Sequence, residues 1–147
     1  MDGMEWDMLR LENQLCFPLY ACSKEIIRRY TPYLEPVGLT YTQYITMMVL
    51  WEKKEMSVKA LGQMLYLDSG TMTPVLKKLE GKGYIIRRRS SEDERNVIIS
   101  LTKEGNALRA KAAHIPEKMG ACVRLELQEA MQLQALLKKV LSGLEEE

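Results

Sequence analysis

Two closely spaced glycines, Gly81 and Gly83, divide this chain between two periodicities. Before them apolar residues recur at helical spacing; after them come two short runs of β character. Upstream, Ser57 opens a helix through about Leu65, with Val58, Leu61 and Leu65 facing inward. Tyr66-Leu67 reads as a tight turn. Asp68 can cap a second helix to Gly81, with Met72, Val75, Leu76 and Leu79 on one face. Pro74 marks either the true first turn of that helix or a bend in it. Downstream, Tyr84 to Arg89 and Val97 to Leu101 read as strands flanking the polar tip Ser90 to Asn96. Two short helices, a tight turn and a hairpin, in that order, predict a winged helix-turn-helix over Ser57 to Leu101.

The rest of the chain is helical in pattern. A first helix, roughly Glu12 to Tyr30, carries Leu15, Leu19, Cys22, Ile26 and Ile27 at helical spacing. Pro18 requires either a start near Pro18 or a distorted first turn. Either way Cys16 lies within a turn of a helix N-terminus. Pro32 and Pro36, followed by Gly38, are expected to break the chain. Thr40 and Gln43 form a capping box for a helix from Tyr41 to about Lys53. Thr102 caps another from Lys103 to about Ala113, which Pro116 interrupts. A last amphipathic helix, Leu125 to Leu144, has a wide apolar stripe that either a partner or its own domain must cover. The expected fold is mainly α with a small two-stranded β wing, as a single domain over residues 1–147.

A chain of 147 residues suits one domain. No apolar run is long enough to span a membrane, and the acidic start (Asp2, Glu5, Asp7) is unlike a signal peptide, so a cytoplasmic protein is expected. Three cysteines at irregular spacing and one histidine make neither a disulfide framework nor a zinc site, and no metal or cofactor is expected. Net charge is +1, yet Ser69 to Arg89 holds six basic residues against the single acid Glu80, a local +5. Charge concentrated in this way suits double-stranded DNA. In a helix-turn-helix the second helix enters the major groove. Its residues off the apolar stripe are Ser69, Thr71, Thr73, Lys77 and Lys78. Arg88 lies on the wing, and Arg95 at the wing tip suits a minor groove, with Asp93 placed to hold it by a carboxylate–guanidinium pair.

The segments Leu65 to Pro74, Lys77-Lys78-Leu79-Glu80 and Ser91-Glu92-Asp93-Glu94-Arg95 resemble the MarR family of bacterial regulators, whose Asp-x-Arg wing signature matches Asp93 and Arg95. Leu11 to Tyr20, around Cys16, is similar to the organic-hydroperoxide sensors of that family, the OhrR branch. The resemblance weakens after about Pro116. It implies a homodimer joined by its N- and C-terminal helices (residues about 8–36 and 103–147), with the DNA-binding part at about 57–101. It further implies a repressor, not an enzyme, that binds an inverted repeat and is released by an organic hydroperoxide.

In that branch a single thiol is the sensor, and the matching residue is Cys16. The thiolate is the nucleophile, and both a helix N-terminus and tyrosine hydroxyls favour the anion. The resemblance places Tyr30 and Tyr41 at the sulfur, from the partner subunit, with Tyr20 nearby. Phe17, Met47, Met48 and Trp51 would supply apolar surroundings. Cys122 falls near the position of a resolving cysteine present in some members; it either resolves the oxidised thiol or is inert. Cys22 faces away from Cys16 and is expected in a core. Two other readings exist. One is a regulator of the same fold released by a small aromatic ligand. The other is a thiol peroxidase using Cys16, which would leave the basic helix without a purpose.

Overall fold

A computed structural model describes residues 2–146. In chain order the elements are α1 (Asp2–Asp7), a 3-10 turn (Leu11–Asn13), α2 (Cys16–Leu34), a 3-10 turn (Glu35–Val37), α3 (Tyr41–Lys53), β1 (Glu55–Ser57), α4 (Val58–Leu65), α5 (Ser69–Gly81), β2 (Ile85–Arg89), β3 (Val97–Leu101), α6 (Lys103–Ala112), α7 (Ile115–Val123) and α8 (Leu127–Glu145). They cluster into two compact units, residues Met1–Ile115 and Pro116–Glu147.

The first unit is built on α3. Its N-terminus carries the expected capping box: Thr40 Oγ1 accepts from the Gln43 amide N–H at 3.3 Å, and Gln43 Oε1 accepts from the Thr40 N–H at 3.1 Å. Met47 and Leu50 of α3 are fully buried with Leu61 of α4 and Met72, Leu76 and Leu79 of α5. The four apolar residues expected on the inner face of α5 are its four buried ones. Ser57 and Asp68 cap α4 and α5, accepting from the amides of Ala60 and Thr71. Between these helices the backbone turns so tightly that a Cβ on Gly62 would lie 2.8 Å from the Leu67 carbonyl oxygen, so α4 needs a glycine there.

The hairpin is β2 paired antiparallel with β3, from Ile85 opposite Leu101 to Arg89 opposite Val97. The expected two-stranded wing is part of a three-stranded sheet, because β1 pairs antiparallel with the other side of β3, Met56 opposite Ile99. Ile85 and Ile99 anchor this sheet in the core.

Of the expected breaks, Pro36 and Pro116 fall as read and Pro32 does not. Pro32 does not break the first helix: α2 runs through it to Leu34, losing only the hydrogen bond that an N–H at 32 would give. The chain turns at Pro36, within the 3-10 turn closed by Gly38. Pro74 is likewise inside α5, whose first residue is Ser69, so it does not mark the first turn. Pro116 is the second residue of α7, a position where its missing N–H costs nothing, so it opens a helix after interrupting one.

In the second unit α8 opens with a capping box between Glu126 and Glu129. It leaves Leu127, Met131, Leu133, Leu136, Val140 and Leu144 exposed. Leu15 at the N-cap of α2, and Leu19, Ile26 and Ile27 within it, are exposed as well. No helix among the described residues is long and apolar enough to cross a membrane.

Candidate functional site

The basic surface forms along one face of α5. Ser69, Thr71, Thr73, Lys77 and Lys78 are all exposed, as their places off the apolar stripe require. The hydroxyl of Thr73 donates back to the Ser69 carbonyl at 2.8 Å, which fixes its rotamer and leaves an oxygen lone pair facing outward. At the helix start, the Thr71 backbone N–H and then the Thr71 side chain hold the Asp68 carboxyl below the usual carboxylate range.

The arginines of β2 are less available than their number suggests. Arg87 donates to Glu80 Oε1 at 3.0 Å, and that bond holds the Glu80 carboxyl low. Arg88 donates to Glu55 Oε2 at 3.2 Å, tying it to β1. Arg89 donates to the Glu94 carbonyl at 2.9 Å, bracing the wing tip. Sequence reasoning missed Glu55 and the bracing carbonyl of Glu94, since both depend on how strands register. At the tip, Asp93 Oδ1 accepts from the Arg95 backbone N–H at 3.0 Å and lies 3.7 Å from its guanidinium nitrogen. The Arg95 side chain is otherwise 94% exposed, projecting from the wing.

The thiol lies elsewhere. Cys16 is the first residue of α2 and is exposed, next to a shallow depression lined by Arg10, Leu11, Glu12, Phe17 and Pro18. Pro18 falls in the first turn, where the missing N–H costs nothing. Tyr20, one turn on, stacks loosely on Phe17 with ring centroids 6.4 Å apart and is exposed.

Tyr30 and Tyr41 come together. Their ring centroids are 4.9 Å apart, bridging the end of α2 and the start of α3. A third ring, Tyr44, lies 5.7 Å from Tyr30 and 6.4 Å from Tyr41. Tyr44 was missed, although its place one helical turn after Tyr41 was a usable signal. Burial, then the neighbouring phenols of Tyr41 and Tyr44, pushes the Tyr30 hydroxyl up to about 12. Burial raises Tyr41 and Tyr44 too.

Within one chain the structure does not bring Cys16 to this pair. Cys16 and Tyr30 are on one continuous helix, four turns or about 21 Å apart. Of the apolar residues expected around the sulfur, Met47 and Trp51 are buried in the core, while Phe17 and Met48 are exposed. Cys22, expected in a core, is exposed on α2, and Cys122 is exposed in the last turn of α7. Among the described residues no cluster of His, Cys, Asp and Glu could hold a metal.

A helix-turn-helix with a basic second helix and an arginine-tipped hairpin defines a winged-helix transcriptional regulator. Residues 28–111 match the family model described as transcriptional regulator SarA/Rot. The chain is 45% identical over 140 residues, 95% of each chain, to the organic hydroperoxide resistance transcriptional regulator of Bacillus subtilis. It is 50% identical over 109 residues, 74% of each chain, to the HTH-type transcriptional regulator SarZ of Staphylococcus aureus. Its fold matches AbfR of Staphylococcus epidermidis, solved reduced and bound to DNA, with TM-score 0.81 and 31% identity over 97% of both chains. AbfR has also been solved with its disulfide formed; that structure matches with TM-score 0.62 and 31% identity, over 99% of this chain and 97% of that one. The chain belongs to the MarR family of transcriptional regulators, in its OhrR branch. Its relatives are regulators rather than enzymes, which removes the thiol peroxidase reading.

Proposed function

We propose that this protein is a thiol-based repressor. A homodimer holds an inverted-repeat operator while Cys16 is reduced and lets go when an organic hydroperoxide oxidises Cys16. The observation that carries the reading is one juxtaposition. An exposed cysteine opens a long helix, and Tyr30, half-buried against Tyr41 of the next helix, lies four turns further along, out of its reach. In a two-fold dimer with α2 antiparallel to its copy, Tyr30 and Tyr41 of one subunit face Cys16 of the other. The exposed apolar residues of α2 and α8 supply surface for that pairing.

The chemistry follows from the groups involved. The Cys16 thiolate attacks the terminal oxygen of the hydroperoxide, the O–O bond breaks, and the alkoxide leaves, taking a proton to become an alcohol. Sulfur is oxidised by two electrons to the sulfenic acid. Before oxidation the anion is favoured by the N-terminal end of α2 and by phenol donors from the partner copy. The raised Tyr30 keeps its proton at any physiological pH and so remains a donor. Tyr20 is exposed beside the entrance and contacts the incoming substituent with Phe17. Cys122 is the candidate to attack the sulfenic sulfur, expelling water and closing a disulfide; a small thiol attacking the same sulfur is the other course.

On DNA, α5 lies in the major groove with Ser69, Thr71 and Thr73 toward the base edges and Lys77 and Lys78 on phosphates. Thr73, whose hydroxyl proton is already used, acts there as an acceptor for an exocyclic amine. Arg88, braced by Glu55, steadies the wing beside the backbone, and Arg95, held by Asp93, enters the minor groove.

The test uses a duplex selected by the reduced protein from random sequence. The reduced protein should shift it, and cumene hydroperoxide should abolish the shift for the wild type and leave it for C16S. A C16S protein that responds like wild type would contradict the reading. Release of the wild type by a phenolic compound under strictly reducing conditions would favour a ligand-responsive regulator instead. A non-reducing gel then separates the two fates of the sulfenic acid: a disulfide-linked dimer lost in C122S, or a mixed disulfide with the added thiol.

A further inference from the structure

The tyrosine pair is not isolated from the wing. Tyr44 is 3% exposed and packs its ring against Tyr30 on one side. On the other side it meets Trp51 edge-on, with centroids 6.4 Å apart and planes at 71°. Trp51 is two helical turns further along α3 and is also buried. Its indole N–H donates to the Gly105 carbonyl at 2.9 Å, a bond spanning 54 residues of sequence.

Gly105 is in the first turn of α6 and is clamped to the base of the wing. A Cβ there would lie 2.1 Å from the Tyr84 carbonyl oxygen, so the backbone of α6 lies directly against the residue that leads into β2. Thr102, which caps α6, donates its hydroxyl to the Gly83 carbonyl at 2.6 Å and its N–H to the Tyr84 carbonyl at 3.1 Å. The contacts therefore run without a gap from the tyrosines at the α2–α3 corner, through two buried rings and one hydrogen bond, to the strand that begins the wing.

We infer that Tyr44 and Trp51 are positioning residues that transmit the state of Tyr30 and Tyr41 to the base of the wing. This rests on the reading above, in which those tyrosines hold the reduced thiolate. Close-packed rings do not deform continuously, so a tyrosine that loses its partner and changes rotamer must displace the ring behind it. Tyr44 passes that displacement to Trp51. Trp51 passes it to Gly105 because a buried indole N–H must keep an acceptor. Because Gly105 has no room against Tyr84, α6 and the hairpin move as one piece.

The experiment compares operator affinity before and after oxidation, with the rate of Cys16 oxidation followed separately by intact mass. In the wild type the ratio of oxidised to reduced Kd is large. In W51F, which keeps a ring but loses the donor, that ratio should fall by about tenfold. The same fall is expected in Y44L, while Y44F, which keeps the ring contacts, should retain the wild-type ratio. Cys16 should be oxidised at its wild-type rate in all three, a combination that general loosening of the core would not produce. A wild-type ratio in W51F and Y44L would overturn the inference and leave the thiol switch standing. A wild type that keeps its operator on oxidation would overturn both.

A second measurement does not depend on those variants folding. Trp6 and Trp51 are the two tryptophans of the chain, so W6F isolates Trp51 emission. That emission should change on hydroperoxide addition along the time course of operator release, and should not change when C16S is added to W6F. Emission unaltered while the operator is released would overturn the relay.

Discussion

Cys16 and Tyr30 share one unbroken helix and for that reason cannot meet within a chain; about 21 Å of α2 separates them. Tyr30 instead stacks with Tyr41 of the next helix at 4.9 Å. The chain holds Cys16 and the Tyr30–Tyr41 pair apart, and in the function proposed above a second copy brings them together.

The tyrosine cluster makes stability sensitive to alkali. The Tyr30 hydroxyl sits at about 12 in the fold against the 10.0 of an ordinary tyrosine. The unfolded chain therefore loses that proton first, and stability falls as pH rises through the interval between those values. A partner thiolate beside the hydroxyl raises it further, in the same direction. Unfolding midpoints from pH 9 to 12 should drop less steeply for Y30F than for wild type. Equal slopes would show that Tyr30 carries no such linkage.

Two kinds of DNA contact should separate by their salt dependence. Lys77 and Lys78 are exposed along α5 and are assigned to phosphates. K77A and K78A should each weaken binding to all sequences and reduce the slope of log K against log salt by about 1. R95A should cost about tenfold in affinity and relax preference at the flanking positions that the wing reads. D93N should act in the same direction more weakly, by freeing the guanidinium from its 3.7 Å carboxylate contact. These are readable in fluorescence-anisotropy titrations at several salt concentrations.

Gly105 tests how tightly α6 is bound to the wing. Adding one methyl in G105A places it 2.1 Å from the Tyr84 carbonyl oxygen, closer than any real contact, so backbone must move. The variant should lose about 1–3 kcal/mol of stability in urea unfolding. G120A, where an added Cβ meets nothing within 4 Å, is the control and should be near neutral.

Much of the fold was legible because its signals are local. The caps Thr40, Ser57, Asp68 and Thr102 each satisfy backbone donors a few residues away, and each stands at the predicted start of its helix. The buried face of α5 was likewise written in its own spacing. What was not legible depends on distant partners. β1 is three residues without alternation, and it is a strand only because Ile99 lies opposite Met56. Arg88 counted as free charge until β1 brought Glu55 to it. Pro32 and Pro74 read as breaks or bends, yet each helix continues past them, since the packing of the remaining turns outweighs one lost hydrogen bond. Cys16 could be placed at a helix start from sequence. Its separation from Tyr30 needed the knowledge that α2 passes Pro18 and Pro32 without a break.

The central claim, that one subunit's thiol is completed by the other's tyrosines, is tested most directly by mixed dimers. One chain carries C16S with both tyrosines intact; the other keeps Cys16 and carries Y30F and Y41F. Neither homodimer has a complete site. If the site is shared across the dimer, the mixed dimer has one complete site. Its Cys16 should then be oxidised by cumene hydroperoxide at the wild-type rate per thiol, with release of the operator. If the mixed dimer reacts no faster than the tyrosine-substituted homodimer, the site is not shared between subunits and the account fails.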